Sequence, residues 1–420
     1  MVQPYRSTFS AICSAVILFL HLAGGLSAEP PADNLWPQWR GPYRDGRLMT
    51  APWPIDLSEQ RLSLTWSLPL GPSYSGPIVG EDRVFVTETK DSKYEVVRAF
   101  ERSTGKQIWE TEWEGSMRVP FFAAANGSWI RATPAFDGQR LFVAGMKDLL
   151  VCLEAESGKV LWKLDFVAAT GSAPPSFGFV SSPLVVGDEL FVQAGASLAK
   201  LNKFTGSIVW QALRDEGGMN GSAFSSPTFA TLAGVPQIVV QTRTKLAGVD
   251  PDDGTVLWSQ EIPAFRGMNI ITPTILGDAV FTSSYGGRSS LFQVSREASS
   301  WKVQEAWTHK SQGYMSSPVV IDGQIYLHLR NQRFVCLDGA TGVERWTTKP
   351  FGKYWSMVAN GDKLLALDQS GELLLIAPSP AEFRLLDRRR VADDSWAHLA
   401  IAGKELFIRD LAALKRFEWQ

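Results

Sequence analysis

Beyond its N-terminal segment the chain holds three histidines, His309, His328 and His398, and two cysteines, Cys152 and Cys336. A metal centre would need such groups at ligand spacing, for example H-x-x-x-H on one helix face. The histidines instead fall in separate strand-like segments, each read as a structural histidine. No G-x-S-x-G elbow and no phosphate-binding P-loop occurs. The carboxylates easiest to find, Asp250, Asp252, Asp253 and Asp338, surround turn glycines. There an Asp side chain accepts from backbone N–H groups two residues on, so a turn explains it. These residue types therefore point to no catalytic residue, no cofactor-binding residue and no metal ligand set.

The elements that carry them repeat. One phrase reads A-F-E-R-S-T-G-K-Q-I-W at 99–109, C-L-E-A-E-S-G-K-V-L-W at 152–162 and K-L-N-K-F-T-G-S-I-V-W at 200–210. It returns at 248–258 and 336–346. Its tryptophans, Trp109, Trp162, Trp210, Trp258 and Trp346, together with Trp307, recur roughly every 40–50 residues, the beat of a propeller blade. Gly (36) and Pro (24) punctuate the chain too often for long helices and suit short strands with tight turns.

Most units open on a step such as Thr133-Pro134, Ser182-Pro183, Ser226-Pro227 or Thr272-Pro273. Three more strands follow, and the last carries the tryptophan. Blade five holds an insertion near Ser299-Ser300, and two worn units follow Trp355 and Trp396. The eighth lacks its fourth strand, which Leu64–Leu68 with Trp66 supplies from the N-terminal end. The expectation is an all-β fold: an eight-bladed β-propeller of four-stranded antiparallel blades over 62–419, with the ring closed by an N-terminal strand. Trp66, Trp109, Trp162, Trp210, Trp258, Trp307 and Trp346 are read as blade-docking residues. Cys152 and Cys336 then lie in opposite blades, separated by roughly 19 Å (four strand spacings of ~4.8 Å), too far for a disulfide.

Ahead of the propeller, residues 1–28 read as a signal peptide: Arg6, an apolar stretch at 11–22, and small residues before Ala28. Residues 29–61 read as a leader or strap containing W-P-Q-W-R-G-P at 36–42. A periplasmic or secreted location follows, with no membrane span once the signal is cut. A net charge of −2 gives no nucleic-acid footprint.

The repeated A/C-x-D/E/N-x-x-T/S-G-x-x-x-W phrase resembles the tryptophan-docking repeat of quinoprotein-like (PQQ-like) propellers. In character the chain resembles the noncatalytic outer-membrane β-barrel assembly lipoproteins of that family. The catalytic branch stacks PQQ on a tryptophan in the funnel beside a Ca²⁺ held by Glu, Asn and Asp, often under a ring of adjacent cysteines. This chain has no adjacent cysteines, and no such Glu/Asn/Asp set maps onto its motifs. The resemblance implies a noncatalytic scaffold for a protein or peptide partner in envelope protein assembly, with no cofactor. The alternative is a PQQ- and calcium-dependent oxidoreductase, and a further one a carbohydrate-binding accessory protein.

With the first strand of each blade innermost, the long fourth-to-first loops and the second-to-third loops share one face. They hold Arg118, Trp129, Arg131, Arg266, Arg288, Tyr314, Tyr354 and Trp355, read as partner-binding. Aromatics and Arg are the composition of an interface core. Exposure is expected of the arginines. Phe177, Phe179, Phe224 and Trp396 are read as packing residues near the inner strands.

Overall fold

A computed structural model describes Met1, residues 34–50 and residues 52–420. Apart from Met1, the expected signal peptide lies outside these residues. Eight sheets form the blades: seven have four consecutive strands, one of these joined by a leader strand, and the eighth combines three C-terminal strands with one from the N-terminal end. Their innermost strands begin at Ile78, Ala135, Leu184, Thr228, Thr274, Val319, Ser356 and Ala400. The four strands of each blade pair antiparallel, and where the outer hairpin carries a tryptophan a bulge lies beside it, as between Val160 and Trp162. The eighth blade takes Leu62–Pro69 as its outermost strand, paired antiparallel with Ala413–Trp419. The ring is closed where the sequence places the closure.

The tryptophans show how neighbouring blades meet. Six of them donate an indole N–H to a backbone carbonyl in the next blade's outer turn. Trp66 reaches Arg102 O (3.1 Å), Trp109 Ala155 O (3.0 Å) and Trp162 Lys203 O (3.1 Å). Trp210 reaches Asp252 O (3.1 Å), Trp307 Gly339 O (2.9 Å) and Trp346 Ser379 O (2.8 Å). The turn glycines lie against these rings at positive φ: a Cβ on Gly158 would sit 2.5 Å from Trp109. Glycine is thus required twice over at this position. Trp258 differs. Blade five has a long hairpin, Ser289–Glu297 with Ser300–His309, in place of the T-G turn. The Trp258 indole turns instead to Gln237 Oε1 in its own blade, at 2.6 Å.

The Ser/Thr-Pro openings form a second line of contacts near the axis, running from blade one to blade six. Gly76 N–H donates to Thr133 Oγ1 (2.9 Å), Thr133 N–H to Ser182 Oγ (3.0 Å) and Ser182 N–H to Ser226 Oγ (2.9 Å). Ser226 N–H continues to Thr272 Oγ1 (3.4 Å) and Thr272 N–H to Ser317 Oγ (3.2 Å). Each hydroxyl satisfies a buried amide of the preceding blade, while the proline beside it needs no donor partner. Thr133→Val should therefore cost about 1–3 kcal/mol, the penalty of leaving the Gly76 amide unpaired. Thr133→Ser should cost far less. Urea unfolding of the two variants side by side checks this.

The leader enters the centre of the ring. Trp36 exchanges backbone hydrogen bonds with Val79 in blade one, and Pro37 O accepts from Phe136 N–H in blade two. Arg47–Leu48 then pairs in parallel with the inner strand of blade seven, which becomes five-stranded. Between these points Arg40 and Arg44 are almost fully buried on the axis. Arg40 donates to Pro318 O, and Arg44 to Ser182 O (3.0 Å) and Pro183 O. Burial lowers their proton affinity, Arg40 to about 10 and Arg44 to about 9, Arg44 also through repulsion by Arg40. Trp36 and Trp39 both contact His398, with ring centroids 6.2 and 6.0 Å away.

Candidate functional site: an aromatic belt on the long-loop face

Of the candidate chemical groups, His328 and both cysteines are buried. The His398 and His328 imidazoles are held neutral by desolvation, at about 3 and about 4. The Cys152 and Cys336 thiols are free, buried and pushed up to about 12 and about 11. His309 lies 3.5 Å from Glu344. Among the described residues no three His, Cys, Asp or Glu side chains gather as a metal site would require.

The long-loop face is organised differently. Each of its eight fourth-to-first loops contributes a ring: Tyr74, Trp129, Phe177, Phe224, Phe265, Tyr314, Tyr354 and Trp396. Neighbouring rings touch. Trp129 meets Tyr74 at 5.3 Å, Tyr74 stacks on Trp396 at 4.7 Å, and Trp396 meets Tyr354 at 4.4 Å. Tyr354 continues to Tyr314 (6.0 Å), Tyr314 to Tyr285 (5.0 Å) and Tyr285 to Phe265 (5.5 Å). On the other side Phe121, Phe122, Phe177 and Phe224 form a chain with spacings of 5.6, 6.2 and 5.5 Å. Arg243 joins the two arcs. Its guanidinium lies 4.3 Å from the Phe224 ring centre, and Nη2 donates to Arg266 O at 2.7 Å.

Such a belt has two physical consequences. Aromatic pairs at these distances hold one another in place, so the face presents ordered rather than mobile rings. The rings are only half-buried, apart from Phe121, Phe122 and Phe265, which are exposed, Phe121 at 91%. A face with that much apolar surface within reach of solvent, set among arginines, has the composition of a binding surface.

The structure sorts the residues expected to touch a partner. Trp129, Tyr314 and Tyr354 are members of the belt. Arg118, Arg266 and Arg288 are exposed, Arg266 resting against Phe265 at 5.2 Å. Arg131 is a correction. It is not the free cation expected: Nε donates to Trp129 O (3.1 Å) and Nη2 to Gly127 O (3.1 Å). Desolvation lowers its pKa to about 10, and it acts as a brace under the Trp129 loop. Trp355 is a second correction. It is 2% exposed, stacked on His328 at 4.5 Å and packed on Phe334 and Phe351 at 4.9 and 5.0 Å. Only its neighbour Tyr354 faces the belt. Of the residues read as packing, Phe179 is buried against Phe166, whereas Phe177, Phe224 and Trp396 belong to the belt. Tyr74 was not anticipated. Its signal is positional: every loop leading into an inner strand carries an aromatic residue.

Fold and repeat place the chain in a class, the eight-bladed propellers built from PQQ-like repeats. A family profile described as outer membrane protein assembly factor BamB matches residues 93–348, and the chain belongs to that family. It is 25% identical over 311 residues to the outer membrane protein assembly factor BamB of Yersinia pestis, covering 70% of this chain and 73% of the relative. It is also 25% identical over 283 residues to a polyvinylalcohol dehydrogenase of a Sphingopyxis strain, covering 57% of this chain and 42% of that enzyme. The crystal structure of BamB from Moraxella catarrhalis superposes with a TM-score of 0.62 at 12% identity, over 86% of this chain and 98% of that one.

Proposed function

We propose that the chain is a noncatalytic periplasmic scaffold that docks a protein partner through its long-loop face and serves the assembly of outer-membrane proteins. The observation that carries this reading is the belt: all eight loops on one face contribute to two solvent-reaching arcs of touching aromatic rings bridged by Arg243. Packing the ring of blades does not require it, because the blade tryptophans and the hydroxyl relay already join neighbouring blades. The family membership supports the assembly role. Among the described residues no helix is long and apolar enough to cross a membrane. In cells lacking the chain, the amount of folded outer-membrane β-barrel protein should fall. It should return with the wild-type chain but not with a Trp129→Asp, Tyr354→Asp variant that still folds. Unchanged β-barrel levels in the deletion strain would remove the assembly role.

The likeness to a dehydrogenase makes quinone chemistry the second reading. The residues on the axis do not fit it. A calcium ion in the funnel would meet Arg40 and Arg44, two buried cations already committed to backbone carbonyls. Titration with PQQ and Ca²⁺ at micromolar concentration should leave the absorbance spectrum equal to the sum of its parts. A shifted quinone band would favour the dehydrogenase reading instead.

A further inference from the structure

Between blades five and seven the belt borders a trough. Its middle is a cavity of about 210 Å³ lined by Tyr285, Tyr314, Tyr354, Arg330 and Lys353. On one side, Leu329 and Arg330 also line a neighbouring cavity of about 640 Å³ with Lys310 and Arg333. On the other side, Gln332 and Lys353 also line a cavity of about 540 Å³. The middle cavity has room for roughly seven waters at ~30 Å³ each, the size of one side chain and its backbone.

The middle cavity is lined by two cations and several groups able to donate a hydrogen bond, and by no carboxylate. No hydrogen bond within the protein occupies the hydroxyls of Tyr285, Tyr314 or Tyr354 among the described residues. Arg330 and Lys353 are exposed and enter no ion pair among the described residues; they lie over tyrosine rings, 4.3 Å from the centre of Tyr285 and 5.9 Å from that of Tyr354. Lys310, exposed in the neighbouring cavity, adds a third cation with no ion pair among the described residues. Glu344, the carboxylate in this part of the trough, stands beside His309. Other carboxylates, Asp368, Glu372 and Asp394, are confined to the blade-seven end, near Arg390. Phenol hydroxyls, a guanidinium and an ammonium lining one cavity that holds no carboxylate are complementary to an anion.

The shape selects among anions. Three adjacent cavities that share lining residues suit an extended chain rather than a small solute. The tyrosine rings are tilted to one another by 38° and 55°, and Arg330 already covers Tyr285. That makes a concave wall around a side chain, not a flat platform for a sugar ring. We infer that this trough binds an acidic, extended polypeptide segment, seating a Glu or Asp side chain between Arg330, Lys353 and the tyrosine hydroxyls. The inference rests on the reading of this face as a protein-docking surface and names the chemistry of the segment it takes.

The test is fluorescence anisotropy with fluorescein-labelled octaglutamate and octaglutamine on the full chain at low and high salt. Octaglutamate should bind, more weakly as salt rises, and octaglutamine should not. Arg330→Glu with Lys353→Glu should weaken octaglutamate binding at least tenfold with an unchanged near-ultraviolet circular dichroism spectrum. Should that double variant misfold, Tyr314→Phe, which removes one hydroxyl, should still weaken binding several-fold. Equal binding of the two peptides, a folded double variant that binds as wild type, or binding of polygalacturonate but not octaglutamate would each overturn the inference. Cross-linking from Trp129, outside the trough, reports on the docking face separately. Cross-links there without octaglutamate binding would sink the trough alone.

Discussion

Trp36→Ala is expected to lower the unfolding free energy by about 3–5 kcal/mol, as much as the loss of any blade tryptophan. The residue lies outside every repeat, yet it is 1% exposed and stacks on His398 at the axis. A Cβ on Gly41 would come within 2.9 Å of its ring, so leader and indole fit closely. Its loss also loosens the segment that carries Arg40 and Arg44. Their carbonyl partners, Pro318 O, Pro183 O and Ser182 O, belong to blades six and three, so the effect should spread across the disc. Equilibrium unfolding in guanidinium followed by tryptophan fluorescence measures it. A cost below about 1 kcal/mol, the range of surface substitutions, would mean that the leader is an ornament on a self-sufficient ring.

Trp355→Ala is the second large effect, again about 3–5 kcal/mol. Its surroundings, His328, Phe334 and Phe351, form an aromatic cluster beneath the belt. The His328 Nε2–Phe351 O contact (3.3 Å) and the neutral His328 ring depend on that cluster remaining dry. The contrast with Trp129→Ala is informative. Trp129 is half-buried at the rim, so its removal should cost less stability and more partner binding. A Trp355→Ala protein that keeps its melting temperature but loses its partner would restore the surface role first assigned to it.

Much of the fold is legible in the sequence because blade contact imposes strict local demands. The indole N–H needs a carbonyl in the next turn, and that turn needs a glycine under the ring, so the T-G…W phrase records a three-dimensional contact. Thr133 and Ser182 record another, since a hydroxyl is required to satisfy the neighbouring blade. The strand at Leu62–Pro69 is legible by elimination, being the one missing from blade eight. The leader's course is not legible. Arg40 and Arg44 bind main-chain oxygens far along the chain, and main-chain oxygens carry no sequence signature. The site is legible in part. Loop aromatics mark the face, but local sequence does not tell Tyr354, in the belt, from Trp355, beneath it. Nor does it show that Arg131 spends its donors on Gly127 and Trp129.

The claim that one face of the disc docks a protein is tested most directly by site-specific photo-cross-linking in living cells. A benzophenone amino acid is placed at Phe122 and Tyr354 on the long-loop face, and at Phe204, 49% exposed in an outer turn on the opposite face. Cross-links from Phe122 and Tyr354 to an outer-membrane assembly protein, identified by mass spectrometry and absent from Phe204, are the predicted result. No cross-link from the long-loop face, or the same product from Phe204, would contradict it.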